Sequence, residues 1–227
     1  NYVYLDTEER RRFAQKGHEY LIEQVQHTGT DTVTSAGTKQ VRLSYNHPVK
    51  ELVWCFSNTQ TNNGMWNFTT ASTDLNIKLD SNQNSLEGSN CFISTAQTGT
   101  PMVKVGAIGG SSIFTEEAVG PLNTCKLILN GQDRSKEQAG KYFNQVQAYN
   151  HHSGSPMPGI YSYSFALKPE EHQPTGTCNF SRIDNAQVAI KIKAGIDAGA
   201  ATSLNMFATN YNVLRIQSGM GGLAFSN

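Results

Sequence analysis

Residues 163 to 186 read YSFALKPEEHQPTGTCNFSRIDNA, a stretch whose residue types could do chemistry. Glu170 and Glu171 stand beside His172, Cys178 follows, and Arg182 and Asp184 lie two apart. Acid/base hydrolysis or a metal site would use such groups. Paired-carboxylate catalysis, however, needs two groups facing one bond across a cleft. Consecutive residues of an extended segment point in opposite directions, so Glu170, Glu171 and His172 do not converge on one ligand. A metal would also need ligands from elsewhere in the chain. The stretch therefore reads as a turn. Pro169 and Pro174 fix backbone angles and stop the preceding strand. Gly176 permits a geometry that other residues resist. Arg182 and Asp184, on one face of an extended segment, can pair and order the connection. These five residues form the expected structural or assembly turn.

The remaining chemical candidates thin out in the same way. His151 and His152 are vicinal in a loop with Ser153, Gly154 and Pro156, and vicinal histidines seldom ligate one metal. No G-x-S-x-G elbow occurs, and GAIGGSS (106–112) lacks the lysine of a phosphate loop. The four cysteines, Cys55, Cys91, Cys125 and Cys178, form no C-x-x-C pair and read as free thiols rather than zinc ligands. Glu9-Arg10-Arg11-Arg12 is the basic cluster of the chain; beside Glu8 on a short helix it reads as a salt-bridged face rather than a nucleic-acid contact. Two N-x-S/T sequons begin at Asn67 and Asn179. Asn67 is the candidate glycosylation position, although no signal peptide is visible. Trp66 could stack on a sugar or serve a protein contact. No catalytic residue, cofactor or metal is expected.

The elements that must position these residues follow a period of two. VRLSYN (41–46) puts Val41, Leu43 and Tyr45 on one face and Arg42, Ser44 and Asn46 on the other. EYLIEQVQ (19–26) alternates imperfectly; VKELVWCF (49–56) reads as buried on both faces near its end. Further strands are expected over 75–80, 125–130, 161–168, 186–193 and 206–216. Residues 6–16 predict a short N-terminal helix, capped by Asp6 or Thr7, with Glu8 and Glu9 at its positive end. Long polar loops fill 57–74, 81–101 and 131–159, the last with a helical turn at 135–143. No β–helix–β repeat is present. The reading is an all-β protein: an eight-stranded jelly-roll sandwich of two antiparallel sheets, with a short N-terminal helix and long loops, forming a single domain over residues 1–227.

Composition bounds the function. Lys plus Arg equals Asp plus Glu at 18 each, which argues against a direct nucleic-acid surface. Charged residues make up 16% of the chain, against about 25% in an ordinary soluble domain. Ser, Thr, Asn and Gly supply more than a third of it. A low-charge, turn-rich, neutral chain favours association with other protein. Leu52–Phe56 is the longest apolar run, too short for a transmembrane segment. Asn1, rather than Met, fits a fragment or a mature product.

LDTEERRRFAQKGHEYLIEQVQHTG (5–29) closely resembles the start of the second jelly roll in the major capsid proteins of nucleocytoplasmic large DNA viruses, of the iridovirus and phycodnavirus type. LNGQDR…GKYFNQVQ (129–147), the 163–186 stretch and NYNVLRIQSGMGGLAFSN (210–227) resemble the same family. Family members carry two jelly rolls in tandem, and this chain is similar to the second alone. The resemblance implies a structural viral protein: homotrimers of double jelly rolls with a pseudo-hexagonal outline, tiling an icosahedral shell against neighbouring capsomers and minor capsid proteins. It also implies residence in the outer capsid shell of the virion after assembly in the host cytoplasm. A carbohydrate-binding jelly-roll module using Trp66, Tyr149 or the His151/His152 loop is the alternative. An enzyme using Glu170, Glu171 and His172 is the third reading.

Overall fold

The structure is a computed structural model. It describes residues 2–34, 37–58, 93–94, 103–104, 120–154, 156–157, 159–192 and 202–226. The expected strand at 75–80, together with Cys91, Trp66, Asn67 and the 106–112 loop, lies outside the described residues.

Helix α1 (Thr7–Gln15) precedes β1 (His18–Val33), β2 (Lys39–Arg42) and β3 (Pro48–Asn58). Two short strands, β4 (Ile93–Ser94) and β5 (Val103–Lys104), pair only with each other among the described residues. Then come β6 (Leu122–Leu129), β7 (Gln132–Asp133), β8 (Gln138–Ala139) and a π-helical turn at Tyr142–Val146 that runs into α2 (Gln147–His151). The chain continues through β9 (Ile160–Ser164), β10 (Cys178–Asn179), β11 (Ala186–Ile192), β12 (Thr202–Gln217) and β13 (Met220–Leu223).

Every pairing is antiparallel. Sheet one runs β1-β12-β3, with β9 and β10 sharing the far edge of β3 and β13 continuing beside β12 past the end of β3. Sheet two runs β2-β11-β6, with β7 and β8 sharing the far edge of β6. Among the described residues each sheet thus has four strand positions. Successive long strands alternate between sheets, which is how a jelly roll closes.

The core lies between the sheets. Val41, Leu43 and Tyr45 are buried from the β2 side, as the alternation predicted, and Arg42, Ser44 and Asn46 are exposed. Leu52, Trp54 and Phe56 enter from β3, Leu204, Met206 and Ala208 from β12, and Val188, Ile190 and Ile192 from β11. Trp54 packs against Phe143 at 5.3 Å and Tyr161 at 5.9 Å between ring centroids, so the helical turn seals the β9 side. Tyr45 Oη donates to the Met206 carbonyl at 2.9 Å, a hydrogen bond between the two layers.

Residues 49–56 differ from the expectation of burial on both faces. Val53 and Cys55 are only half-buried, because no layer among the described residues covers the outer face of sheet one over them. The helical segment also starts later than the expected 135–143: Gln138 and Ala139 first pair with β6 as β8, beside the tight β6–β7 hairpin. Asn130 (φ 50°) and Gly131 (φ 78°) turn it, the left-handed pair that a two-residue hairpin favours.

Candidate functional site

The register of sheet one places residues of one parity on its outer face. Glu23 lies opposite Tyr211, Val25 opposite Thr209, Thr209 opposite Glu51, and Glu51 opposite Ser164. The pairing then skips from Glu51 to Val49 against Thr209 and Asn210, leaving Lys50 as the extra residue of a β-bulge. A bulge re-aims a side chain. Lys50 is buried, and its Nζ reaches Glu23 Oε2 at 2.7 Å and sits 5.5 Å from the centre of the Tyr211 ring. Burial raises the Tyr211 phenol above its ordinary value, and the Lys50 charge opposes that rise.

A second polar contact lies beside the first. His152 Nε2 stands 3.0 Å from Glu51 Oε2, and Thr209 Oγ1 donates to Glu51 Oε1 at 3.5 Å. His151 Nδ1 lies 3.0 Å from the Leu167 carbonyl. Ser153 N donates to Glu170 Oε2 at 3.0 Å, and hydrogen bonds from Ser153 hold the Glu170 carboxyl below its ordinary range. The cluster therefore spans three strands of sheet one, the end of α2 and the loop after β9.

Its chemistry is that of a clasp. Glu170 is spent on Ser153, Glu171 on Lys168 at 3.0 Å, and His172 approaches Glu23 at 3.8 Å. Three consecutive residues of a turn serve three separate partners. No group of three or more potential ligands is placed to hold a metal among the described residues. Cys55, Cys125 and Cys178 are free thiols, each raised above its ordinary pKa by burial.

The rest of the 163–186 stretch is fixed to the sandwich. Phe165 N and Ala166 N both donate to the Lys50 carbonyl, at 2.9 and 3.2 Å. Lys168 N donates to Thr175 Oγ1 at 2.9 Å, closing the loop that holds the buried Pro169 and the exposed Pro174. Gly176 (φ 152°) passes so close to Phe165 that a Cβ would lie 2.8 Å from its carbonyl oxygen. Phe180 N donates to the His47 carbonyl at 3.1 Å, and His47 N donates to Ser181 Oγ at 2.8 Å. Arg182 and Asp184 are both exposed and form no ion pair with each other. The expected pairing assumed an extended backbone, whereas Arg182 closes a 3₁₀ turn over Phe180–Arg182.

Other candidates are placed as follows. Asn179 is exposed, and its Oδ1 accepts from Ser181 N at 3.1 Å. Tyr149 is exposed, but His151 and His152 are engaged, so the described residues build no sugar platform around it. Glu8, Glu9 and Arg10–Arg12 are exposed and form no ion pair among the described residues, in contrast to the expected salt-bridged face. An exposed helical pair gains only about 0.3–0.5 kcal/mol, too little to fix long side chains.

Sequence reasoning missed two features. One is the Lys50–Glu23 pair, whose signal was a lysine inside an otherwise buried strand. The other is an amide network on the inner face of sheet one. Gln26 Nε2 donates to the Asn46 carbonyl at 2.7 Å and to Asn210 Oδ1 at 2.9 Å, and Asn46 N donates to Gln26 Oε1 at 3.0 Å. Asn212 Nδ2 donates to Gln24 Oε1 at 3.0 Å and to the Phe225 carbonyl at 2.8 Å. The two asparagines of NYN thus tie β1, the β2–β3 connection and the segment after β13 to β12.

Residues 9–222 match the family described as large eukaryotic DNA virus major capsid protein. The chain belongs to that family. It is 42% identical to the major capsid protein of Paramecium bursaria Chlorella virus 1, over 100% of this chain and 53% of that protein. It is 41% identical to the major capsid protein of Phaeocystis pouchetii virus, over 100% of this chain and 52% of that protein. Among solved structures it resembles PBCV-1 VP54, fitted into a cryo-EM reconstruction of the virophage Sputnik, with a TM-score of 0.72 and 36% identity over 99% of this chain and 55% of that one. The Faustovirus major capsid protein shares the fold at a TM-score of 0.56 and 16% identity. This capsid-family chain spans about half the length of the curated relatives it matches. Its 163–186 stretch is fastened to the sandwich by backbone hydrogen bonds to Lys50 and His47.

Proposed function

We propose that the chain is the second of two tandem jelly rolls in a viral major capsid protein, and that its role is structural rather than catalytic. Three double jelly rolls would form a capsomer with a pseudo-hexagonal outline, and many capsomers would tile an icosahedral shell in the virion. Neighbouring capsomers and minor capsid proteins would be its partners, and assembly would take place in the host cytoplasm. The observation that carries this reading is the 42% identity to a major capsid protein along the whole chain. The clasp geometry supports it, since it uses carboxylates and histidines to hold loops onto a sheet. Interfaces repeated many times in a shell can each be modest, because avidity supplies the rest.

The test is the mass in solution of the tandem protein, built by joining this chain to the other half found in its relatives. Three copies per particle are expected. A strict monomer that turns over a substrate would overturn the reading. Arg182→Ala is expected to lower assembly yield or solubility and to abolish no reaction; wild-type yield from that variant counts against a role for the 163–186 turn in assembly.

A further inference from the structure

The inner row of β12 shows where the sandwich ends. Leu204, Met206, Ala208, Asn210 and Asn212 are buried, and Leu214 and Ile216 are not. Beyond Asn212, three strands run on as a tip with β12 in the middle. Tyr20 lies opposite Leu214 and Leu214 opposite Leu223; His18 lies opposite Ile216 and Ile216 opposite Gly221. Apolar side chains are therefore arranged across the tip without the burial that sheet two gives the rest of the row. Tyr20 is 44% exposed, Leu223 46% and Phe225 60%. A contiguous apolar patch on a soluble surface marks a contact site.

Charge says what covers it. Helix α1 adjoins the tip: its Phe13 ring lies 4.7 Å from the His18 ring. That helix carries Glu8 and Glu9 followed by Arg10, Arg11 and Arg12, all exposed and without an ion-pair partner among the described residues. An acidic and a basic cluster side by side complement the same two clusters on another copy. The chain as a whole is neutral, with 18 charges of each sign, so copies do not repel one another. A partner of a single charge sign would be met by one cluster and opposed by the other.

We infer that the strand tip (Tyr20, Leu214, Leu223) and the adjoining helix α1 form a contact with a second copy of this chain. The inference rests on the capsid reading and names the surface that reading leaves unspecified. Copies meet with the apolar tips buried and the glutamates of one α1 against the arginines of the other.

The experiment measures association of the 227-residue chain and its variants by sedimentation, with circular dichroism to confirm folding. Glu8→Lys/Glu9→Lys and Arg10→Glu/Arg11→Glu/Arg12→Glu are each expected to weaken self-association by about tenfold or more. Labelled chain of one variant is expected to bind the other variant more tightly than either binds itself, which a misfolded protein would not do. Leu223→Asp is expected to remove association in every pairing. If the wild-type chain or the tandem protein assembles and these variants assemble equally well, the surface is wrong and the capsid reading stands. If both wild-type forms stay monomeric, both fail. If the tip instead binds the separately added other half of the tandem protein while copies do not self-associate, the inference is overturned in favour of a contact within one polypeptide.

Discussion

Gln26 and Asn210 are 184 residues apart in the chain and share a 2.9 Å hydrogen bond on the inner face of sheet one. Asn210 is fully buried. Its amide oxygen takes one of the two hydrogens of Gln26 Nε2, and the Asn46 carbonyl takes the other. Asn210→Ala removes one acceptor and opens a small void. A buried polar group left without its partner costs about 1–3 kcal/mol. Urea unfolding of the variant is expected to show a loss of that size with an unchanged slope; a loss below about 0.5 kcal/mol would show that the network is not structural.

The Lys50–Glu23 pair is asymmetric. The Lys50 side chain is 4% exposed and that of Glu23 33%. Glu23→Gln strands a buried ammonium and is expected to cost about 3 kcal/mol. Lys50→Met leaves a carboxylate with access to water and is expected to cost less, about 1 kcal/mol. The double variant is expected to be more stable than Glu23→Gln alone. Thermal unfolding of the three variants checks the order; Lys50→Met as the most damaging change would refute it.

Glu170 gives the clasp an acid limit. Hydrogen bonds from Ser153 lower its pKa from the ordinary 4.5. A depressed carboxyl stabilises the fold above its unfolded pKa, and that contribution is lost as pH falls through the folded value. Amide exchange at Ser153 is expected to speed up as pH drops from about 5 to about 3, beyond the intrinsic pH dependence of exchange. Glu170→Gln is expected to abolish that extra acceleration, and a variant that keeps it would assign the effect elsewhere.

Thiol reactivity is expected to follow burial. Cys125 is buried and its thiol is raised strongly; Cys55 and Cys178 are half-buried and raised by the same cause. With Cys91 replaced by Ser, iodoacetamide at about pH 8 is expected to label Cys55 and Cys178 slowly and Cys125 only on unfolding. Equal rates at all three sites in the folded protein would contradict the burial order.

Much of the fold was legible because one periodicity dominates it. Alternation at 41–46 named the buried residues Val41, Leu43 and Tyr45 directly. EYLIEQVQ alternated imperfectly because its inner row carries Gln24 and Gln26, which meet amides rather than apolar side chains. Polar residues on a core face hide from a hydrophobicity pattern until their partners are known. Lys50 escaped for a related reason: a bulge shifts parity by one residue, and no spacing rule reveals it in advance. The Arg182/Asp184 pairing failed because a 3₁₀ turn replaced the extended backbone assumed for it.

Strand β12 is the centre of sheet one, flanked by β1 on one edge and by β3 and then β13 on the other. Synthesis delivers it after both long neighbours. A nascent polypeptide that has emerged only through β11 therefore holds two unzipped strand edges with nothing to join them. Such edges recruit other chains. Long-range closure of this kind is slow. Crowded production would expose that interval to misassembly, and any helper that shields β1 and β3 until β12 arrives would raise the yield of correctly folded protein.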